Sequence, residues 1–153
     1  MSDEIPFPYV SCKFLVEIDS SIVASFSEAS GIMVETEVEE YSEGGVNDFR
    51  HRLPKGSKYG TLVLKRGLID DDTLWQWHRD VAGGTVERKP VSLILWDETF
   101  DDEVWRWDFR DAFPVKWVGP DLKADGSAVA LETLELVHNG FVSSSGPASG
   151  GGA

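Results

Sequence analysis

Apolar and polar residues alternate with a period of two over most of the chain, which is typical of β-strands with two different faces. The alternation is clearest in residues 31–41, 60–66 and 103–113. Residues 13–26 divide into two short alternating segments around Asp19-Ser20-Ser21, which predicts an early β-hairpin. Residues 90–97 are apolar on both faces, as expected of a central strand. With segments 115–124 and 128–140, the pattern predicts about seven or eight strands.

One segment, directly after residues 60–66, has helical spacing instead. Gly67 ends the strand, and Leu74, Trp77, His78 and Val81 then recur on one helical face. Gly83 and Gly84 predict the C-terminal end of this helix. Three acids precede it and are predicted to cap its free N–H groups: Asp70, Asp71 and Asp72.

Residues 42–58 show no periodicity and are rich in Gly, Asn, Asp and basic residues, so we predict a long loop. Loops of this length are uncommon in compact domains and are usually functional or disordered. Val46, Phe49 and Leu53 favour a function, because an idle surface loop needs no apolar side chains.

Three glutamates share one face of the predicted strand at 31–41. Glu35, Glu37 and Glu39 alternate with Val34, Thr36 and Val38. Glutamate is a poor strand former, so this face is expected to meet solvent. The alternation does not tell an ordinary outer surface from the wall of a channel.

Composition narrows the class of protein. The chain has 153 residues, which suits a single domain, and its 27 acidic against 14 basic residues give a net charge of −13. This charge argues against sequence-specific binding to nucleic acid, whose phosphates would be repelled. The single Cys12 excludes an internal disulfide framework.

No segment has the marks of a membrane or secretory sequence. The first ten residues carry early acids and no apolar core, and no apolar stretch approaches the roughly 20 residues of a membrane span. Synthesis in the cytoplasm without a signal peptide is therefore expected.

Motifs for catalysis or metal binding are missing from the sequence. His51, His78 and His138 have no metal-ligand spacing, and there is no nucleophile elbow or phosphate-binding glycine loop. We expect no catalytic residue, no metal and no cofactor. Two alternatives remain open: a carbohydrate-binding β-sandwich with tryptophan platforms, and a hydrolase that uses acids within 97–103, such as Asp97 and Glu98.

An ordered set of short motifs resembles one protein family. "FSEASGIMVETEVEEYSEGG" is followed by "NDFRHRLPKGSKYG", "LVLKRG", a short helix with "LWQW", and a late "KWVGPDL" and "LETLELVHNGF". This order is similar to that of the tail tube (inner tube) proteins of contractile phages and contractile injection systems, from about Phe7 to Phe141.

The resemblance implies a mainly β (α+β) fold, a β-sandwich or barrel of antiparallel strands with one flanking α-helix. It further implies a structural protein without enzymatic activity. Such proteins form hexameric rings, which stack into a tube that conducts DNA or protein cargo. The expected partners are further copies of the chain and sheath, baseplate and tail-terminator proteins, in a phage tail or injection particle.

The resemblance also assigns roles to the two unusual segments. The expected domain is 1–142, with 42–58 as an assembly loop between subunits or rings and 143–153 as a flexible Gly/Ser-rich tail. The assembly residues would be Val46, Asn47, Phe49, Arg50, Arg52, Leu53, Lys55 and Lys58. Glu35, Glu37 and Glu39 become candidates for the lumen wall.

Overall fold

The computed structural model describes residues 13–23, 26–42, 50–97 and 102–145. These residues form ten strands and one helix. Their bounds are β1 Lys13–Ile18, β2 Ser21–Val23, β3 Glu28–Ser30, β4 Val34–Ser42, β5 Arg50–Tyr59, β6 Leu62–Gly67, α1 Thr73–Ala82, β7 Lys89–Asp97, β8 Asp102–Val118, β9 Leu131–Val137 and β10 Phe141–Ser145.

Eight of the strands form one continuous antiparallel sheet system. Their order is β2-β1-β7-β8-β9-β6-β3, and β10 pairs with β8 outside this path. The first part of β8 lies between β7 and β10, and its last residues pair with β9. The predicted mainly β fold with one helix is confirmed, as are the hairpin of β1 and β2 and the central place of β7 between β1 and β8.

The long strand β8 changes direction at Asp111, whose φ of 51° lies in the left-handed region. The turn between β9 and β10 is held against this point, because the backbone N–H of Arg110 donates to the Gly140 carbonyl at 2.9 Å. Phe109 is buried before the bend, whereas the even-numbered Ala112 and Pro114 are buried after it. The alternation predicted over residues 103–113 is therefore interrupted at this bend.

Pro114 lies within β8, although the sequence pattern separates residues 103–113 from 115–124 at this proline. From Phe113 onward β8 pairs only with β9, so its other edge needs no N–H donor and tolerates a proline. Val115 is skipped in the register between Pro114 and Lys116, as in a β-bulge.

The core lies among the inward faces of these strands and α1. The helix contributes Leu74 and Trp77, two of the residues predicted for its apolar face. The buried cluster comprises Val16, Ile18, Phe26, Leu62, Leu64, Leu74, Trp77, Val91, Leu93, Phe109, Ala112, Leu134 and Leu136. Within the described residues, no helix is long and apolar enough to cross a bilayer.

Two segments predicted to be irregular are strands. Residues 50–58 belong to β5, so only 43–49 of the predicted loop remain, and these lie outside the described residues. Ser143, Ser144 and Ser145 are part of β10 and pair with residues 105–107 of β8, so the predicted tail can begin only after them. Both segments lack alternation because neither has a buried face, and backbone pairing supplies their order.

Candidate assembly surface

β4 and β5 form a separate two-stranded sheet, here called the arm. Nine residue pairs join its strands, from Val34 opposite Tyr59 to Ser42 opposite Arg50. Nine strand residues extend about 30 Å. The arm is thus long compared with β6 and β3, the strands to which it is attached.

The arm is exposed on both faces. Every described side chain from Val34 to Glu40 and from Arg52 to Lys58 is exposed. Three apolar residues are among them: Val34, Val38 and Leu53 are 51%, 53% and 53% exposed. An isolated two-stranded hairpin is marginally stable in water at best, so its contacts are expected to come from another chain.

The register of the arm fixes which charges share a face. Glu35, Glu37 and Glu39 lie opposite Lys58, Gly56 and Leu53. The register steps from Gly56 to Pro54, which leaves Lys55 as the extra residue of a β-bulge without a directly opposite partner.

Most of the predicted assembly residues can now be placed. Arg52, Leu53, Lys55 and Lys58 are exposed on β5. Arg50 begins the same strand. Val46, Asn47 and Phe49 lie outside the described residues.

An aromatic cluster fixes the base of the arm to the core. The Tyr59 ring lies 5.5 Å from that of His138 and 5.7 Å from that of Phe141, and His138 stands edge-on to Phe109. His138 Nδ1 accepts a hydrogen bond from the Gly140 N–H at 3.1 Å. Burial lowers the pKa of His138, which favours its neutral form. Sequence analysis missed this cluster, because it depends on pairing between strands far apart in the chain.

A close backbone approach restricts the start of the arm further. Gly31 has a φ of +89°, and a Cβ there would lie 1.9 Å from the Thr61 carbonyl oxygen. Only glycine fits this position. The arm therefore leaves the core in a defined direction.

The three acids before α1 differ in what they do. Asp71 accepts from the Thr73 backbone N–H at 3.1 Å, and its hydrogen bonds with Thr73 lower its pKa. Asp72 occupies the N-cap position, but its carboxylate accepts from Gln76 Nε2 at 2.7 Å and makes no capping bond. The predicted capping contact is thus made by Asp71 and not by Asp72, while Asp70 lies outside the helix.

A buried ion pair lies beneath these acids. The Arg66 Nε–H donates to Glu132, and both residues are almost completely buried. Glu132 also accepts from Trp117 Nε1 at 3.1 Å, and Arg66 Nη2 donates to the Asp71 carbonyl at 3.1 Å. Sequence analysis missed this pair. The sequence did indicate that Arg66 is buried, because the alternation of β6 places Arg66 on the same inward face as Leu62 and Leu64.

A groove of about 650 Å³ opens between α1 and the end of β6. Its lining combines apolar, aromatic and acidic side chains and contains no basic residue. The lining residues are Leu68, Ile69, Asp70, Asp71, Asp72, Trp75, Trp117 and Glu132.

The acidic segment 97–103 joins β7 to β8, and Asp97 lies opposite Asp102 in this hairpin. Glu98 lies outside the described residues. Among the described residues, no group of three or more potential ligand side chains is placed to hold a metal ion.

The tryptophans do not form an exposed platform. Trp77 is buried, Trp96, Trp105, Trp107 and Trp117 are half-buried, and only Trp75 is exposed. Trp105 donates to Ser143 Oγ at 2.7 Å, which ties β10 to β8. Five of the six tryptophans are thus at least half-buried, and the ring of the exposed Trp75 lies 4.8 Å from that of Trp117, so the tryptophans form no row of exposed rings.

Comparison with known proteins decides the family. A family model described as "T4-like virus tail tube protein gp19" matches residues 10–142. The chain belongs to this tail tube family. The match spans β1 to the start of β10, and so includes the arm, α1 and the groove.

Solved structures agree with the tail tube assignment. A chain of the six-fold symmetrised baseplate of the anti-feeding prophage is similar with a TM-score of 0.79 and 28% identity, covering 92% of this chain and 98% of its own. A chain of the tube-terminating cap of the same particle gives a TM-score of 0.83 at 20% identity, with coverage of 95% and 96%.

A more distant structure shares the fold. Hcp1 from Flavobacterium johnsoniae gives a TM-score of 0.56 at 12% identity, with coverage of 88% and 96%. No curated protein matches the sequence.

As a tail tube family member, the chain is a structural subunit of the tube of a contractile phage tail or injection particle.

Proposed function

We propose that six copies of the chain close into a ring, that rings stack into a hollow tube, and that the arm joins the copies. The observation that carries this proposal is the arm, a sheet of about 30 Å exposed on both faces. Two-stranded sheets of this kind need a partner, and unpaired strand edges are covered by closure or by a neighbouring chain. The six-fold symmetrised baseplate that contains a similar chain supports the ring number.

The glutamate face of the arm supports a role in conduction. Glu35, Glu37 and Glu39 are exposed on one face of β4. If this face lines the lumen, its negative charge prevents anionic cargo such as DNA from adhering during passage. Protein cargo is the other class that such a tube would conduct.

The remaining parts of the proposal follow from family membership. The outer surface and the ends of the tube would bind sheath, baseplate and terminator proteins, and a similar chain occurs in a sheath-tube complex. The chain would be made in the cytoplasm and act as a scaffold without enzymatic activity.

Electron microscopy of the purified chain tests the proposal. We expect rings or tubes of uniform width and six-fold averaged end views, at high protein concentration or with baseplate proteins added as a seed. A protein that stays monomeric under both conditions would contradict it. Loss of a hydrolytic turnover in Asp97→Asn would instead favour an enzyme.

A further inference from the structure

A three-residue turn joins β9 to β10 and contains the one Asn-Gly dipeptide of the sequence, Asn139-Gly140. In such a dipeptide the backbone nitrogen of the glycine can reach the side-chain carbonyl carbon of the asparagine and close a succinimide ring. Glycine has no Cβ, so nothing on its own residue obstructs the approach of its nitrogen to Asn139 Cγ. The two groups belong to one chain, which gives them a high effective concentration for this reaction.

The structure places a base on the attacking nitrogen. The Gly140 N–H donates to His138 Nδ1 at 3.1 Å. Burial lowers the pKa of His138, so that the imidazole is neutral near neutral pH and Nδ1 keeps its lone pair. A neutral imidazole can take up the amide proton as the nitrogen attacks.

The asparagine side chain is open to water and weakly held, while the backbone of the turn is fixed. Asn139 is exposed, and its Nδ2 donates to Asp111 Oδ2 at 3.4 Å, which is longer than a typical hydrogen bond. The Asn139 N–H donates to the Arg110 carbonyl at 2.8 Å, and the Arg110 N–H donates to the Gly140 carbonyl at 2.9 Å. The glycine nitrogen therefore stays on the imidazole while the side chain of Asn139 can rotate towards it.

A second turn, at Asp125-Gly126, has a related sequence without this arrangement. The Gly126 N–H donates to the Lys123 carbonyl at 3.2 Å, and a carbonyl does not take up a proton at neutral pH. The Ser127 N–H and Oγ–H donate to Asp125 Oδ1, and these bonds lower the pKa of Asp125. Its carboxylate is thus kept ionised and is a poor electrophile, so we expect no ring closure at this turn.

We propose that the β9–β10 turn is a site of spontaneous modification, at which Gly140 attacks Asn139 with His138 as the general base. The bond from Gly140 N to Asn139 Cγ forms, and the bond from Cγ to Nδ2 breaks. The proton moves from Gly140 through His138 Nδ1 to the leaving nitrogen, which departs as ammonia. Water then opens the succinimide at either carbonyl and yields aspartate or isoaspartate, without oxidation or reduction. One folded copy suffices, so the inference goes beyond the proposed assembly and does not depend on it.

The modification would alter the base of the arm. Aspartate at this position adds a negative charge beside Asp111, and isoaspartate also lengthens the main chain of the turn by a methylene group. The turn carries the two backbone bonds to Arg110 and the imidazole that packs against Tyr59. We therefore expect the converted chain to unfold at a lower urea concentration than the unconverted chain.

Peptide mapping by mass spectrometry of the purified full-length chain, kept at pH 7.5, measures the conversion. We expect the peptide with Asn139 to lose ammonia with time and to yield aspartate and isoaspartate, while Asp125 stays unchanged. His138→Phe should slow the conversion about tenfold, because it keeps a ring against Phe141 but removes the base. His78→Phe is the matched control, because it removes an imidazole from α1, and it should leave the rate unchanged.

The pH profile of the rate separates a base from a residue that only shapes the turn. In the wild type the rate should level off once His138 is neutral, whereas in His138→Phe it should keep rising with the hydroxide concentration. Tyr59, Arg110 and Asp111 are further titratable or charged groups at the turn, and His138→Phe retains all three. The wild-type chain unfolded in urea is a comparison that needs no variant, and its rate should also keep rising.

The outcomes decide the proposal. It is contradicted if Asn139 stays intact in the folded chain while the chain unfolded in urea converts. Equal rates and equal pH profiles in the wild type and His138→Phe would assign the conversion to the dipeptide alone and would also contradict it. Conversion that depends on His138 in a chain that never assembles would support this inference and contradict the proposed function, so the two failures are distinguishable.

Discussion

Arg66 and Glu132 show how one buried pair connects several parts of the molecule. The pair joins β6 to β9, and its other hydrogen bonds reach Trp117 on β8 and the loop before α1. A buried ion pair contributes little net stability by itself, but removal of one partner leaves the other charge uncompensated.

Glu132→Ala is therefore expected to lower the free energy of unfolding by about 3–5 kcal/mol, whereas Arg66→Met with Glu132→Leu should cost much less. Urea denaturation of the three proteins checks this difference. A single variant no less stable than the double variant would show that the pair is solvated in solution.

His138 is a second residue whose environment has a measurable effect. It lies among Tyr59, Phe109 and Phe141, and burial lowers its pKa from the ordinary value of 6.5. The unfolded chain therefore binds the proton more readily than the folded chain. The stability that depends on neutral His138 is present above about pH 6.5 and is lost as the pH falls below it.

We expect the urea concentration at the midpoint of unfolding to decrease when the pH is lowered from 7.5 to 5.5. The decrease should be smaller in His138→Phe. Protonation of carboxylates affects the wild type and the variant alike. The difference between the two proteins therefore isolates the contribution of His138. If the urea midpoint decreases equally in both proteins, His138 has no role in the pH dependence of stability.

At the scale of elements, the arm and the core are separable. None of the arm's described side chains belongs to the buried core cluster, and the arm is anchored by the aromatic contacts of Tyr59 at its base. We therefore expect the core to fold without the exposed strands, while assembly is expected to depend on them.

Replacement of residues 36–57 by Asn-Gly would join Glu35 to Lys58, which already face each other in the register, through a two-residue hairpin turn. We expect the free energy of unfolding to change by no more than about 1 kcal/mol, because the described side chains of the deleted strands are all exposed. Sedimentation should show a monomer. Tubes formed by the shortened chain would contradict the role of the arm.

At the scale of the whole molecule, assembly must overcome a net charge of −13 per copy. Within the arm, the four Lys and Arg residues of β5 offset the four glutamates of β4, so the arm adds no net charge to the surface that assembly must bring together. Lys58 and Leu53 lie on the same face of the arm as Glu35, Glu37 and Glu39, because directly opposite residues of an antiparallel pair share a face.

Replacement of Glu35, Glu37 and Glu39 by Gln should leave tube formation intact while it alters cargo passage. Electron microscopy measures the first effect, and ejection from particles assembled with the variant measures the second. Blocked assembly would instead assign the three glutamates to a contact between subunits.

Local patterns in the sequence were sufficient wherever one face of an element is buried. The alternation of β6 and the helical spacing of Leu74 and Trp77 follow from a core that accepts apolar side chains at fixed intervals. The same logic failed for β5, which has two exposed faces, and beyond Asp111, where a left-handed residue moves the following side chains to the other face.

The sequence by itself determined the mainly β class, the single helix, the shared face of the three glutamates and the family resemblance, because these depend on neighbours in the chain. Only the tertiary structure decided that residues 50–59 pair with β4 in a separate sheet, that Arg66 pairs with Glu132, and that Tyr59, His138 and Phe141 meet at the base of the arm. These features arise from pairing between segments distant in sequence, and no local period encodes which strands meet.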